Sequence, residues 1–461
     1  MEHENQSTIE REQKLGNTPV PKLLFQMSAP MIFAMIVNGL YYLIDAVFVG
    51  RVVGGEALGG LAAGFPIDML VVALGTMLGI GTASIVSFEL GSQKKEEAAS
   101  AIISAALFTI ALSVAFSAIL MVFKADIFHI FGATERIFKY ADAYYSVIIP
   151  GSVLVLLSFL GINTVRAEGN AKLAALVMFS GALINVFLNA AFMIVFNMGI
   201  AGAAWGTLLA RLVSVIILMG YYGFNKSIIN LWSVNWRINI TEIRKILLIG
   251  LSSFLNQVGF SILAAAVNIL LKNYGTAVDL SVYGVISRIH IFITMPLLGL
   301  AQGFHSIVGF NFGAGNYKRV SETVKISFIY AFAIGLFLFG FLVFMPQDIL
   351  RLFTDKPEVI QNGVFALRIT SLMTPVIGLQ IIAYFYFMAV HKAVTAMLVS
   401  LSRQVIFILP PLIVLPLFMD KQGIWLAFPM ADIVAVAVSA ALLLRSVNKQ
   451  VKEGSLPDRC S

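Results

Sequence analysis

The chain has 461 residues, of which 59% are hydrophobic and only 12% are charged, and its formal net charge is +7. Soluble domains carry about twice that charged fraction, so the composition indicates a membrane protein. The single cysteine, Cys460, excludes a disulfide framework and a cysteine-based metal cluster. The sequence has no zinc-protease motif. It also has no glycine-rich phosphate loop, which argues against nucleotide hydrolysis.

Apolar runs long enough to cross a membrane begin after residue 22. Residues 1–22 are polar and mixed in charge, without the apolar core of a removable signal, so the first apolar helix is expected to remain as an anchor. Each later run reaches the ~20 residues that a helix needs to cross the hydrocarbon layer. The predicted spans are 24–50, 59–83, 98–122, 143–165, 174–196, 200–223, 246–271, 280–303, 324–345, 364–388, 394–418 and 424–445.

The chain repeats itself. Ser84-Ile85-Val86 returns as Ser306-Ile307-Val308 in the second half, and the offset from Ser84 to Ser306 also matches whole apolar helices. We therefore predict an all-α integral membrane protein whose twelve transmembrane helices form two six-helix bundles, related by a pseudo-two-fold axis along the membrane normal. The predicted parts are an N-terminal tail at 1–22, a first lobe at 23–224, a linker at 225–245, a second lobe at 246–445 and a C-terminal tail at 446–461.

The distribution of lysine and arginine predicts the orientation. With both termini in the cytoplasm, most of the loop lysines and arginines fall on the cytoplasmic side, as the positive-inside rule requires. This accounts for the basic balance of the chain without a nucleic-acid partner. We expect a multi-pass protein of the cell membrane that acts as a monomer, with the lipid bilayer as its surroundings.

Asp45 is the first charged group inside a predicted span. A charge at such a depth costs roughly 2.5 to 3.5 kcal/mol, so intramembrane acids usually serve a function. If Asp45 is shielded, desolvation raises its pKa toward the physiological range, and the carboxylate could exchange a proton for a cation. The alternative is that Asp45 lies close enough to the helix end to reach interfacial water.

The fifth and sixth spans carry matching oxygen ligands. Asn185 and Asn189 are four residues apart and therefore share one face of a helix, while Thr207 follows a turn-forming cluster at 197–202 that predicts a helical hairpin. These amides and this hydroxyl could complete the shell of a cation. Equally, they could only hydrogen-bond neighbouring helices, at about 0.6 kcal/mol per contact.

A second polar set lies early in the second and eighth spans. The offset from Ser84 to Ser306 also maps Asp68 onto His290, and Arg288 is close to the latter in sequence. We predict that Asp68 and Arg288 lie close together as a gate on the outer side. A plain structural ion pair that neutralises both charges in the membrane is an equal alternative.

Methionine and aromatic side chains are plentiful in the spans and would suit a pocket for flat, lipophilic cations, through adaptable packing and cation–π contact. Most of them are expected to be ordinary lipid or core contacts. The predicted cavity residues, chosen because they lie on the first, second, seventh and eighth spans, are Asn38, Tyr41, Phe65, Asn256, Gln257 and Met295.

Several of these motifs occur together in one known family. They are the aspartate of the first span followed by Val49-Gly50, the run 306–315, the run 166–170 and the stretch 199–205. With them the chain resembles the multidrug and toxic compound extrusion (MATE) transporters, most closely the prokaryotic DinF-like branch and its MepA-like multidrug pumps. The resemblance covers all twelve spans.

The resemblance implies a cation site in the first lobe, at Asp45, Asn185, Thr207 and Asn163. Many DinF-like members have a second acid on the fifth helix where this chain has Asn189. A sodium ion at Asp45, Asn185, Asn189 and Thr207 would thus be neutralised by one carboxylate. Sodium remains possible, but exchange of a single proton is easier to defend than sodium coupling. Acids that other branches place on the seventh and tenth helices are absent, which confines coupling to the first half.

The implied function is antiport. The chain would export lipophilic, mostly cationic drugs in exchange for H⁺ or Na⁺ by alternating access, with no cofactor besides the coupling ion and no enzymatic activity. A flippase for a lipid-linked or polysaccharide precursor is the alternative, although the few interior arginines disfavour it. A membrane enzyme or receptor would need a catalytic constellation or a large domain outside the membrane, and the sequence contains neither. The natural substrate and the choice of ion stay open.

Overall fold

The computed structural model of the chain describes residues 13–131, 133–224 and 226–453, except for the side chains of residues 41–47, 50, 51, 55 and 453. Secondary structure in this described part is helical throughout, with no strand. The all-α prediction is therefore confirmed. The calls on Asp45 and Tyr41 concern side chains that fall outside the described residues.

The helices are numbered in chain order. They are α1 (Val20–Val52), α2 (Gly55–Gly91), α3 (Lys95–Ile130), α4 (Glu135–Ala167), α5 (Ala171–Ala190), α6 (Gly199–Gly223), α7 (Ile240–Tyr274), α8 (Ala277–Gly313), α9 (Tyr317–Phe344), α10 (Pro346–Arg351), α11 (Pro357–Thr370), α12 (Thr374–Ala389), α13 (Ala393–Leu401), α14 (Leu409–Val414) and α15 (Pro416–Glu453), with π-helical turns at Ala191–Val195 and Ser402–Ile406.

Among the described residues, eleven helical segments are long and apolar enough to cross a membrane, and α11 with α12 forms a twelfth that is bent by 53°. This agrees with the twelve predicted spans. The tenth span was expected to be one helix over 364–388, but the structure breaks it between Thr370 and Thr374. Pro375 lies at the start of α12 and has no N–H to continue the ladder of hydrogen bonds, so the helix bends there.

Several helices extend beyond the predicted spans. Helix α7 begins at Ile240, inside the predicted linker, and α15 continues to Glu453, inside the predicted tail. Hydropathy detects only the part of a helix that lies in hydrocarbon. Exposed charged residues such as Arg244, Lys245 and Lys449 are compatible with helix once it enters water, so the helices continue without an apolar signal.

The structure divides into two compact units. The first contains residues 13–17 and 33–250, and the second contains residues 18–32 and 251–453. The first half of α1 thus packs within the second unit, and the first turns of α7 pack within the first unit. The lobe boundaries expected from the sequence, 23–224 and 246–445, remain predictions.

Helices α2 and α4 form the closest packing in the first unit, because glycines of α2 face side chains of α4. A Cβ atom at Gly64 would overlap the ring of Tyr145, and one at Gly60 would lie 2.8 Å from the backbone nitrogen of Ala141. Absence of a side chain lets the two backbones approach, as is usual in membrane helices. This contact brings Tyr145 within reach of Asp68.

Candidate functional site

Three buried or half-buried polar side chains form a relay between α5 and α6 in the first unit. The Nδ2 of Asn189 donates to the Oδ1 of Asn185 at 2.9 Å, and the Nδ2 of Asn185 donates to the Oγ1 of Thr207 at 3.0 Å. Asn185 and Asn189 are 3% and 1% exposed. The sequence-based grouping of these three residues is thus reproduced, while their role in coupling is still a prediction.

The hairpin between α5 and α6 places Thr207 opposite Asn185. Asn170 caps α5 by accepting from the backbone nitrogen of Leu173 at 3.2 Å, which fixes where the helix starts. The chain then reverses at Asn197 and Gly199, whose φ angles of 52° and 58° are in the left-handed region.

Gly206 provides the space for the relay. A Cβ atom at this position would overlap the Oδ1 of Asn189, so only glycine lets the amide lie against α6. The relay consists of uncharged groups and leaves the hydroxyl proton of Thr207 unused by either asparagine. It can orient a carbonyl and a hydroxyl oxygen toward a small cation or a protonated acid.

Asp45 is the residue predicted to supply the charge of the cation site. Its backbone lies in α1, and its side chain is outside the described residues. No group of three or more His, Cys, Asp or Glu side chains suited to a metal ion occurs in the part of the chain that was searched. A cation site here would depend on Asp45 together with neutral oxygen ligands.

Asn163 lies in a different environment from the relay. Its Oδ1 accepts from the Nη2 of Arg166 at 2.6 Å, and its Nδ2 donates to the backbone oxygen of Phe159 at 2.7 Å. Arg166 is 1% exposed. The structure therefore places Asn163 beside a buried arginine near the end of α4, and its membership of the cation site remains a prediction.

The predicted gate residues have different surroundings. The Oη of Tyr145 donates to the Oδ2 of Asp68 at 2.6 Å, within the first unit. Arg288 is exposed on α8 of the second unit, and His290 lies 3.2 Å from the Oγ of Ser371 through its Nε2. Pairing of Asp68 with Arg288 is still a prediction, but Asp68 already has a neutral hydrogen-bond donor.

The described cavity candidates differ in exposure. Phe65 is 54% exposed, Asn38 and Gln257 are half-buried, and Met295 is 8% exposed and belongs to the buried core. Asn256 accepts from the Nε2 of Gln404 at 3.3 Å. Phe65 is thus more accessible than Met295, and the lining of a substrate cavity by these residues stays a prediction.

Glu168 has a role that sequence reasoning missed. The Glu168 side chain is fully buried, and its Oε2 accepts from the Oη of Tyr221, the Oγ of Ser227 and the backbone nitrogen of Ile228 at 2.9, 2.7 and 3.2 Å. Burial raises the pKa of Glu168, and these hydrogen bonds oppose the increase. Glu168 thus fastens the linker after α6 to the end of α4.

An ion pair in the second unit was also missed. The Nε of Arg403 donates to the Oδ1 of Asp432 at 2.7 Å, joining the π-helical turn after α13 to α15. The two residues are 29 positions apart on different helices, so no spacing in the sequence connects them. The only signal was that each is an ionisable residue inside an apolar run.

Membrane-length helices, a sequence repeated in two halves and a buried polar relay inside one half are typical of a membrane transporter. The MatE family model matches residues 30–191 and 252–413, and the starts of these two stretches are separated by the same offset as Ser84 and Ser306 of the repeated Ser-Ile-Val motif. The chain belongs to the MatE family, whose members are secondary transporters and not enzymes.

Similar proteins support this assignment over most of the chain. "Multidrug export protein MepA" of Staphylococcus aureus (strain MSSA476) is 23% identical over 361 residues, covering 77% of this chain and 78% of that protein. The protein of the same name from Staphylococcus haemolyticus is 22% identical over 352 residues, covering 76% and 77%.

Solved structures share the fold. One is described as the outward-facing conformation of a multidrug resistance MATE family transporter of the MOP superfamily, with a TM-score of 0.91, 22% identity and coverage of 95% of this chain and 98% of that chain. A MATE crystal structure in the bent conformation also has a TM-score of 0.91, at 22% identity and with coverage of 97% and 99%. The similarity extends over both halves and confirms the two-lobe MATE fold.

Proposed function

We propose that the protein exports lipophilic, mostly cationic drugs across the cell membrane in exchange for H⁺ or Na⁺. Membership of the MatE family and the MepA relatives support multidrug export. The observation that carries the coupling part is the relay of Asn185, Asn189 and Thr207, buried in the unit that also contains Asp45. Both termini are taken to be cytoplasmic, as the charge distribution predicts.

The relay suits a site whose charge changes during transport. Asp45 in the membrane is stable when it is protonated or when it binds a cation, because a bare carboxylate is costly there. Thr207 and the asparagine carbonyl groups offer oxygen ligands to sodium, and the hydroxyl proton offers a hydrogen bond to a carboxylate. Binding or release of the ion at Asp45 would then favour one of two access states.

The alternative ions differ in what the relay must provide. A sodium ion needs several oxygen ligands around a single carboxylate, whereas a proton needs the carboxylate alone. With Asn189 in place of a second acid, the site has one carboxylate, which is sufficient for a proton. We therefore favour H⁺, and treat Na⁺ as an outcome of the experiment.

Efflux from sealed vesicles tests the proposal. Purified protein is reconstituted, a fluorescent lipophilic cation is loaded, and a proton or a sodium gradient is imposed on wild type, Asp45→Asn and Glu135→Gln. We expect one gradient to drive efflux in wild type and in Glu135→Gln, an exposed acid at the start of α4. Efflux should be lost in Asp45→Asn.

The possible outcomes distinguish failure of the proposed coupling site from failure of the proposed drug export. Gradient-driven efflux that persists in Asp45→Asn would refute the coupling site while leaving drug export intact. If thermal unfolding shows that the protein is folded and neither gradient drives efflux, drug export is refuted and a lipid-linked substrate is favoured.

A further inference from the structure

Arg403 lies at the centre of a span. It is close to the midpoint of the candidate span Ala393–Val414, in the π-helical turn Ser402–Ile406. Its side chain is 31% exposed. An arginine at the centre of the hydrocarbon layer faces the bundle interior or a water-filled cavity and not lipid, and π-helical turns are frequent at functional sites.

Asp432 holds the guanidinium by one edge. The contact joins the Nε of Arg403 to the Oδ1 of Asp432 at 2.7 Å, and the Asp432 side chain is 5% exposed. Within the part of the chain that the structure describes, the terminal Nη groups of Arg403 form no hydrogen bond. The pair is neutral overall, which makes it tolerable in a membrane, yet the outer fork of the arginine remains available to a ligand.

The residues on either side of Arg403 in the sequence make polar contacts with two other helices of the second unit. The Nε2 of Gln404, the neighbour of Arg403, donates to the Oδ1 of Asn256 on α7 at 3.3 Å. The Nε2 of Gln380 on α12 donates to the Oγ of Ser402 at 3.2 Å. The turn that carries Arg403 is thus held to α7 and α12 through its sequence neighbours, and to α15 through Asp432.

We propose that Arg403 is a subsite for the carboxylate of zwitterionic or anionic organic substrates. The inference rests on the proposed drug export and names the residue that would select carboxylate-bearing substrates among those exported. The planar guanidinium binds a carboxylate through two parallel N–H groups, which an ammonium does not match. Asp432 fixes the orientation of Arg403 and balances its charge when no substrate is bound, so the fork is preformed for the incoming carboxylate.

The test uses two dyes that differ only in the charged group. A rhodamine with a free carboxylate and its methyl ester are loaded separately into vesicles that contain wild type, Arg403→Gln or Lys421→Gln. We expect Arg403→Gln to slow efflux of the carboxylate dye about tenfold, the effect of one lost charge-assisted contact, with efflux of the ester unchanged. Lys421→Gln, which removes the cation of the ion pair with Asp279 in the same unit, should leave the ratio of the two rates unchanged.

The ratio of the two rates decides the question. An unchanged ratio in Arg403→Gln would overturn the subsite, and so would a wild type that exports the ester but not the carboxylate dye. Wild type that exports neither dye refutes drug export itself, which distinguishes the two failures. If Arg403→Gln does not fold because Asp432 is left unpaired, the double variant Arg403→Gln/Asp432→Asn removes both charges and is used in its place. The same fall in the rate for the carboxylate dye relative to the ester is then expected of the double variant.

Discussion

At the residue scale, Asn185 is the centre of the polar relay, since it accepts from Asn189 and donates to Thr207. Asn185→Ala removes both hydrogen bonds of the relay, whereas Thr207→Ala removes only the one from Asn185. At about 0.6 kcal/mol per bond in a membrane, we expect Asn185→Ala to lower the free energy of unfolding by about 1 kcal/mol, twice the effect of Thr207→Ala. Unfolding of purified protein in detergent measures this. Equal effects of the two variants would show that the relay does not act as a chain.

Glu168 gives a second prediction at this scale, one that concerns pH. Burial raises its pKa in the folded protein, so folding favours the protonated carboxyl. This contribution to stability is fully present below the ordinary pKa of glutamate and is lost as the pH rises through the raised value. Glu168→Gln keeps an amide of the same shape that never ionises.

We therefore expect wild type and Glu168→Gln to unfold at similar temperatures near about pH 4, and the variant to unfold at the higher temperature near about pH 8. Thermal unfolding across this range measures the difference. Glu135→Gln, at an exposed position, is the matched control and should show no such divergence. A difference between wild type and Glu168→Gln that is independent of pH would contradict the raised pKa.

At the scale of elements, the approach of α2 to α4 depends on Gly64. Gly64→Ala places a methyl group in the ring of Tyr145, which must move away from Asp68. Overpacking of this kind costs about 1 to 3 kcal/mol. Gly284→Ala is the control, since nothing lies within 4 Å of its new Cβ atom.

We expect Gly64→Ala to unfold at a lower temperature than wild type and Gly284→Ala at an equal or higher one, because alanine favours helix over glycine. Thermal unfolding of the two variants side by side provides the measurement. If both variants behave alike, the close packing of α2 against α4 does not contribute to stability.

The elements also show which features could be predicted from the sequence. Asn185 and Asn189 lie four apart on one helix, and a turn cluster placed Thr207 beside them, so local spacing was sufficient. Arg403 and Asp432 meet only through packing of separate helices, for which spacing carries no signal. The linker contacts of Glu168 were missed for the same reason, because Ser227 and Ile228 lie 59 and 60 positions away in the sequence.

At the scale of the whole molecule, composition and repetition were enough to predict an all-α protein with twelve spans in two halves. Hydrophobic length sets the number of spans, and the repeat that carries Ser84 onto Ser306 sets the duplication, so neither depends on side-chain detail. The bend within the tenth span and the helical ends outside the hydrocarbon layer were not predicted. These depend on Pro375 and on charged helical turns in water, where an apolar pattern carries no information.

Orientation is the property of the whole molecule that charge alone predicts, and the single cysteine makes it testable. Lysine and arginine place the C-terminal tail, with Cys460, in the cytoplasm. A membrane-impermeant maleimide should therefore label Cys460 only after cells are permeabilised. In a Cys460→Ser background, Asp355→Cys in the exposed segment before α11 should be labelled in intact cells. Labelling of Cys460 in intact cells, together with protection of Asp355→Cys, would show that the orientation is the reverse of the predicted one. The buried Glu168 would then lie on the outer side.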